Sequence, residues 1–183
     1  MCPNLQIMIS YTNKPIKEEP KWYIFYTCPR AEKVAYKILK DLNYTVFLPI
    51  RKTLKIWKNR QRKFIQEPLF PNYIFVNTNT CYLHKITMLP KICYYLSTNG
   101  KPSSISEQDI EALKCMVNSQ EEITVEINPQ IGEKVVIIKG DLTGYEGVLV
   151  SCKGKQKFGI QLAGTNLIAC IDVTASIINI VKE

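Results

Sequence analysis

The sequence predicts an α+β protein in two units: an antiparallel sheet flanked by helices, then a small five-stranded β-barrel. Three observations predict it. Between residues 21 and 117, aromatic and β-branched runs alternate with stretches of helical period. Beyond residue 130 the helical period disappears, and short β-branched runs recur about every 10–12 residues. Charge divides at the same place. Residues 1–120 carry 18 Lys/Arg against 8 Asp/Glu, net +10, whereas 121–183 carry 6 against 8, net −2.

Residues 1–20 have no core pattern and read as a tail. KWYIFYT (21–27) is a strand that stops at Cys28-Pro29-Arg30. Ala31 to Leu42 follows as a helix, with Val34, Ala35, Ile38, Leu39 and Leu42 as its apolar stripe. Glu32, Lys33, Lys37 and Lys40 are expected to face away, and Asn43 is the stop signal. YTVFLPI (44–50) is a strand, and RKTLKIWKNRQRKFI (51–65) reads as a basic hairpin with its tip at Lys58-Asn59-Arg60. EPLFPNYIFV (67–76) ends in another strand. Residues 81–90 suggest a short helix ending at Pro90, and ICYYLST (92–98) a strand before an Asn99-Gly100 turn. Ser106 then caps a helix with Ile110, Leu113, Met116 and Val117 on one face. The first domain is thus 21–117, and the polar stretch 118–130 reads as the linker. Residues 131–183 hold the runs KVVIIK, YEGVLVS, KFGIQLA, LIACID and IINIVK. Closing the sheet edges would help so short a domain to fold.

Composition removes several function classes. Hydrophobic content of 46% and mean hydropathy of −0.08 fit an ordinary globular chain. No apolar run approaches a membrane span, and the start lacks a secretory pattern, so a cytoplasmic, non-membrane protein is expected; a monomer is also expected. The seven cysteines contain no C-x-x-C pair and read as small core hydrophobes in a reducing compartment. His84 is the single histidine, without a metal-ligand spacing or a nucleophile partner around it. G-x-S-x-G, P-loop and H-x-x-x-H motifs are absent, so neither an enzyme nor a cofactor or metal site is expected.

Three stretches carry recognition chemistry, each with a plain structural alternative. In the strand at 73–76, period two sets Tyr73 and Phe75 on one face and Ile74 and Val76 on the other. Burial of both faces, or one face kept for a partner, explains it equally well. Arg51, Lys52, Lys55, Lys58, Arg60, Arg62 and Lys63 form a run without an acid. A solvated hairpin accounts for them, but Trp57 adds a surface on which an unpaired base can stack. Arg30 and Lys33 at the first helix are nucleic-acid contacts or simply a cationic face. Lys153, Lys155 and Lys157 pose the same choice in a turn, and Tyr94 and Tyr95 read as core packing.

Taken in order, KWYIFYTCPRAEK, the basic hairpin, EPLFPNYIFV and IGEKVVIIKGDLTGYEGVLV resemble the NusG family of transcription factors. In that family an NGN domain is joined by a linker to an SH3-like KOW domain. P-L-F-P-N-Y before a strand and the spacing Gly132, Gly140, Gly144, Gly147 carry the match. Asn72, where general members usually have glycine, resembles the specialised RfaH branch, and the hairpin and short KOW domain resemble UpxY-type antiterminators of polysaccharide operons. The segment AGTNLIAC (163–170) departs from the Phe-Gly-Arg element of general KOW domains.

The resemblance implies a bacterial antitermination or elongation factor bound to RNA polymerase. Its clamp helices, in the largest subunit, would dock on Phe70, Tyr73 and Phe75. The hairpin would meet polymerase or nucleic acid, with non-template DNA or nascent RNA as further contacts. The KOW domain would take a ribosomal protein or another factor. A general elongation and termination factor, and a polymerase-independent KOW nucleic-acid binder, are the alternatives.

Overall fold

The computed structural model describes residues 19–57, 60–119, 121–152, 154–173 and 177–181. The chain begins with β1 (Lys21–Thr27), α1 (Glu32–Asp41), β2 (Thr45–Phe47) and the hairpin strands β3 (Ile50–Ile56) and β4 (Arg62–Pro68). Then come β5 (Tyr73–Thr78), a 3-10 turn (Thr80–Tyr82), α2 (Leu83–Thr87) and β6 (Ile92–Tyr95). The short strands β7 (Ser97–Thr98), β8 (Lys101–Pro102) and β9 (Ser104–Ile105) lead into α3 (Glu107–Asn118). The C-terminal part comprises β10 (Thr124–Ile127), β11 (Gln130–Ile137), β12 (Glu146–Cys152), β13 (Lys155–Gln161), β14 (Leu167–Asp172) and β15 (Ile178–Ile180).

The N-terminal sheet is antiparallel with order β2-β5-β1-β6. Because β5 occupies one edge of β1, β6 and β9 share the other edge end to end. One face buries Tyr23, Phe25, Ile74 and Val76 against Ala35 and Leu39 of α1 and Leu83 and Ile86 of α2. The opposite face carries Trp22, Ile24 and Phe75, clustered with Ile110, Leu113 and Met116 of α3. Ser106 caps α3 as expected, its hydroxyl accepting the Asp109 N–H at 3.0 Å. Asn43 also ends α1 as expected. In left-handed backbone (φ 62°), its N–H bonds to Lys40 O, and the next N–H, of Tyr44, to Leu39 O.

The helix stripe differs from the expectation. Ala35 and Leu39 are buried as expected and Ile38 is half-buried, but Val34 and Leu42 are exposed and Glu32 is buried. The buried face is narrower than the expected stripe and takes in Glu32, whose carboxylate accepts a backbone N–H described below.

The C-terminal sheet has six strands, β10-β14-β13-β12-β11-β15. The sixth is β10, from the stretch read as linker, which pairs with β14 from Thr124↔Cys170 to Ile127↔Leu167. In this polar strand Thr124, Val125 and Glu126 are half-buried and Ile127 is exposed. The two parts also touch. The Cys115 thiol of α3 donates to Tyr145 Oη at 3.6 Å. A Cβ on Gly164 would stand 2.5 Å from Ser103 Oγ, so the 163–165 turn packs tightly on the N-terminal part. One apolar cluster runs from Phe75 and Met116 to Phe158 and Leu142.

Candidate binding face

Strand register lays three rows of side chains across the α3 side of the N-terminal sheet. Asn77, Trp22 and Ile105 form the first. Phe47, Phe75 and Ile24 form the second, with Phe47–Phe75 ring centroids 5.9 Å apart. Tyr73, Tyr26 and Tyr94 form the third, each directly opposite the next on adjacent strands. Tyr26 stacks on Tyr94 at 5.0 Å with 6° between planes, and meets Tyr73 edge-on at 5.4 Å. The hydrophobic members of the first two rows lie in the core cluster with α3; the third row continues them into the open, with Tyr94 49% exposed. Burial, and then the neighbouring tyrosines, push the Tyr73 phenol above its ordinary value of 10.0; Tyr94 is raised too, by burial and then Tyr26. Tyr73 and Tyr94 are therefore neutral at physiological pH, and the row is an aromatic surface with hydroxyl edges.

The residues expected to dock lie at different depths. Tyr73 is half-buried at the surface, but Phe70 and Phe75 are both 0% exposed, with rings 6.1 Å apart. They support Tyr73 from below rather than line a groove. Tyr26 and Tyr94 share this face with Tyr73, and Tyr94, expected in the core, is exposed. A period-two reading shows which residues share a face within one strand, but the row exists only through cross-strand register.

The turn beside the row explains Asn72. It is left-handed (φ 67°); its backbone N–H donates to buried Glu32 Oε1 at 2.8 Å, and its Nδ2 donates to Tyr26 Oη at 3.1 Å. Left-handed backbone admits glycine freely and asparagine at small cost, so one backbone requirement accounts for either residue here. Asn72→Ala is expected to destabilise the chain by about 1–2 kcal/mol, and Asn72→Gly by less, in urea unfolding. Equal losses would remove backbone strain as the reason.

The hairpin pairs from Ile50↔Pro68 to Ile56↔Arg62 as a separate two-stranded ribbon. Glu67 on its base partly neutralises the cationic run: it lies 3.2 Å from Arg51 and 3.0 Å from Lys55. The hydrogen bond from Lys55 is the leading cause that holds its carboxyl below the ordinary value. Lys52, Arg60, Arg62 and Lys63 are exposed and make no ion pair among the described residues. Lys58 lies outside the described residues. Leu54 and Phe64 face each other across the strands and, with Ile56 and Trp57, leave an exposed apolar stripe that the basic composition concealed. Arg30 (φ 59°), Lys33 and Arg51 come together around a cleft of about 390 Å³, where Lys33 Nζ donates to Gln66 O at 3.0 Å.

In the C-terminal sheet the motif glycines have two different causes. Gly140 and Gly144 turn the chain at φ 93° and 88° with open space around them. Gly147 lies under the Phe158 ring, where a Cβ would approach ring carbons to 2.6 Å. Lys157 is withdrawn from any nucleic-acid role: it is buried, bonded to Glu126 at 2.9 Å and Thr124 Oγ1 at 2.8 Å. Lys155 pairs with Asp172 at 3.2 Å, and Lys153 lies outside the described residues. Among the described residues no group of three or more His, Cys, Asp or Glu is placed to hold a metal, and no helix is long and apolar enough to cross a membrane.

Comparison with known proteins agrees with this architecture. Residues 20–114 match the family model described as "Transcription termination factor nusG". The transcription termination/antitermination protein NusG of Helicobacter pylori (strain ATCC 700392 / 26695) is 23% identical over 159 residues, 79% of this chain and 90% of that protein. The Halalkalibacterium halodurans protein of the same name is 23% identical over 165 residues, covering 80% and 91%. Among solved structures, that titled "Domain interaction in Thermotoga maritima NusG" superposes with a TM-score of 0.50 at 20% identity, covering 90% of this chain and 98% of that one. Its likeness supports the fold, and the family model spans more than half of this chain: the protein belongs to the NusG family.

Proposed function

We propose that this protein binds RNA polymerase during transcript elongation and suppresses pausing and termination. The observation that carries the proposal is the Tyr73–Tyr26–Tyr94 row, an aromatic surface prepared by the sheet and left open at its end. Helices of the polymerase clamp, in its largest subunit, would lie on it. Rigid tyrosines give contact area at small entropic cost, and their hydroxyls satisfy polar groups at the rim. Phe70 and Phe75 would contribute directly only if the elements packed over them moved. The hairpin, with Trp57, its apolar stripe and the exposed cations Lys52, Arg60, Arg62 and Lys63, would reach a second surface of polymerase or the nucleic acid beside it.

Tyr73→Ala combined with Tyr94→Ala is expected to weaken binding to core polymerase at least tenfold, about 1.4 kcal/mol. Affinity within twofold of the parent, in a variant with unchanged melting, would overturn the docking face. Restriction to one operon, of the polysaccharide type, is the narrower reading motivated by Asn72 and the AGTNLIAC segment. It predicts antitermination on the gene's own leader and little effect on unrelated templates; equal effects on both would make this a general elongation factor. The cations Lys52, Arg60, Arg62 and Lys63 favour a second reading, direct binding to free nucleic acid. That reading requires RNA affinity without polymerase that falls steeply with salt.

A further inference from the structure

Cys28 and Cys93 lie 65 residues apart in sequence, yet their sulfurs are 3.6 Å apart at the protein surface. A bulge makes this approach. Tyr26 pairs with Tyr94 and Thr27 with Ile92, so Cys93 is the extra residue on β6 with no partner on β1. An unpaired bulge residue is re-aimed relative to the regular alternation of its strand. Here its thiol meets that of Cys28, which follows the end of β1 and is held by its N–H to Lys91 O at 3.0 Å. Cys28 is half-buried and Cys93 exposed, so a small reagent can reach the pair. The expectation that the cysteines are small core hydrophobes fails here, because Cys93 is exposed.

We propose that Cys28 and Cys93 form a dithiol modification site that closes to a disulfide by exchange with a low-molecular-weight disulfide such as oxidised glutathione. The exposed Cys93 thiolate attacks one sulfur of the small disulfide, forming a mixed disulfide and releasing one small thiolate. Cys28 then loses its proton to solvent and attacks the Cys93 sulfur. The Cys28–Cys93 bond forms and the second small thiolate leaves. Two protein thiols are oxidised, and one small disulfide is reduced to two thiols. The closing step is intramolecular and so is favoured over release or accumulation of the adduct. The hydrogen bond with Cys28 holds the Cys93 thiol above its ordinary value, so exchange quickens as pH rises. The bond would tie the end of β1 to β6 beside the stacked Tyr26 and Tyr94.

The test uses the full chain, reduced and then exposed to about 1 mM oxidised glutathione, with peptide mass mapping. Cys81 serves as the internal control: it is exposed and has no thiol neighbour among the described residues. The expected result is a linked Cys28–Cys93 peptide, two hydrogens lighter, while Cys81 retains a stable glutathione adduct. In Cys28→Ser, Cys93 should retain its adduct as Cys81 does. Reductant should restore both thiols, and the linked form should melt at a higher temperature than the reduced form. Stable adducts on Cys93 and Cys81 alike in the parent chain, without a linked peptide, would overturn the proposal. So would linkage of Cys93 to a cysteine other than Cys28. The readout involves no polymerase, so it stands or falls separately from the docking proposal.

Discussion

Gly147→Ala is expected to lower the stability of the C-terminal sheet by about 2–3 kcal/mol, a severe loss for a unit of this size. The added methyl would lie 2.6 Å from two carbons of the Phe158 ring and 2.7 Å from Gly159 O. Phe158 is fully buried among Val135, Ile137, Ile160 and Ile171, so the ring cannot swing into solvent, and the carbonyl belongs to the adjoining strand. Relief requires separation of β12 from β13, which opposes the bonds between them. Gly140→Ala is the comparison. It meets no atom within 4 Å and carries only the strain of φ 93°, about 1–2 kcal/mol. Urea unfolding of the full chain, followed by signals from the C-terminal strands, should rank Gly147→Ala as the more destabilising. The reverse order would mean that the Phe158 contact relaxes freely.

The second large effect is centred on Lys157. Its ammonium bridges β13 to Glu126 on β10, with Thr124 Oγ1 as a further acceptor and Asp172 at 3.9 Å. Burial pulls the Lys157 value down, but the bond to Glu126 and its charge outweigh this, and the net shift is upward from 10.5. Glu126 is shifted downward from 4.5, chiefly by the bond from Lys157. The Glu126 contribution is fully present above about 4.5 and is lost as pH falls through its lowered folded value. The Lys157 contribution is fully present below about 10.5 and is lost as pH rises through its raised folded value. The pair therefore stabilises across the whole interval between them. Glu126→Gln leaves a buried cation short of its main partner and should cost about 1–3 kcal/mol. Melting profiles from pH 2 to 12 should show, in that variant, a lower plateau and a shallower acid limb. An acid limb as steep as the parent's would assign it to other carboxylates.

The same pair explains why the stretch 118–130 has the look of a linker in sequence. NSQEEITVEINPQ has the polarity of a connection, yet Thr124 and Glu126 are the groups that bind Lys157. A polar side chain whose partner lies 31 residues away carries no local sign of that partner. Lys157 itself, in a lysine-rich turn, carries no local sign of its burial for the same reason.

The sequence by itself determined most of the elements, because strand and helix periods, the Ser106 cap, the Asn43 stop and the turn glycines are local. It also separated Tyr73 and Phe75 from Ile74 and Val76. Tertiary structure decided which of these residues reach solvent. Phe75 and Tyr73 share a face, yet one is sealed in the cluster with α3 and the other lies at the edge of an open tyrosine row. Register aligned Tyr94 with Tyr26, and a single bulge brought Cys93 to Cys28. Periodicity is a property of neighbours along the chain; cover, register and pairing come from residues far along it.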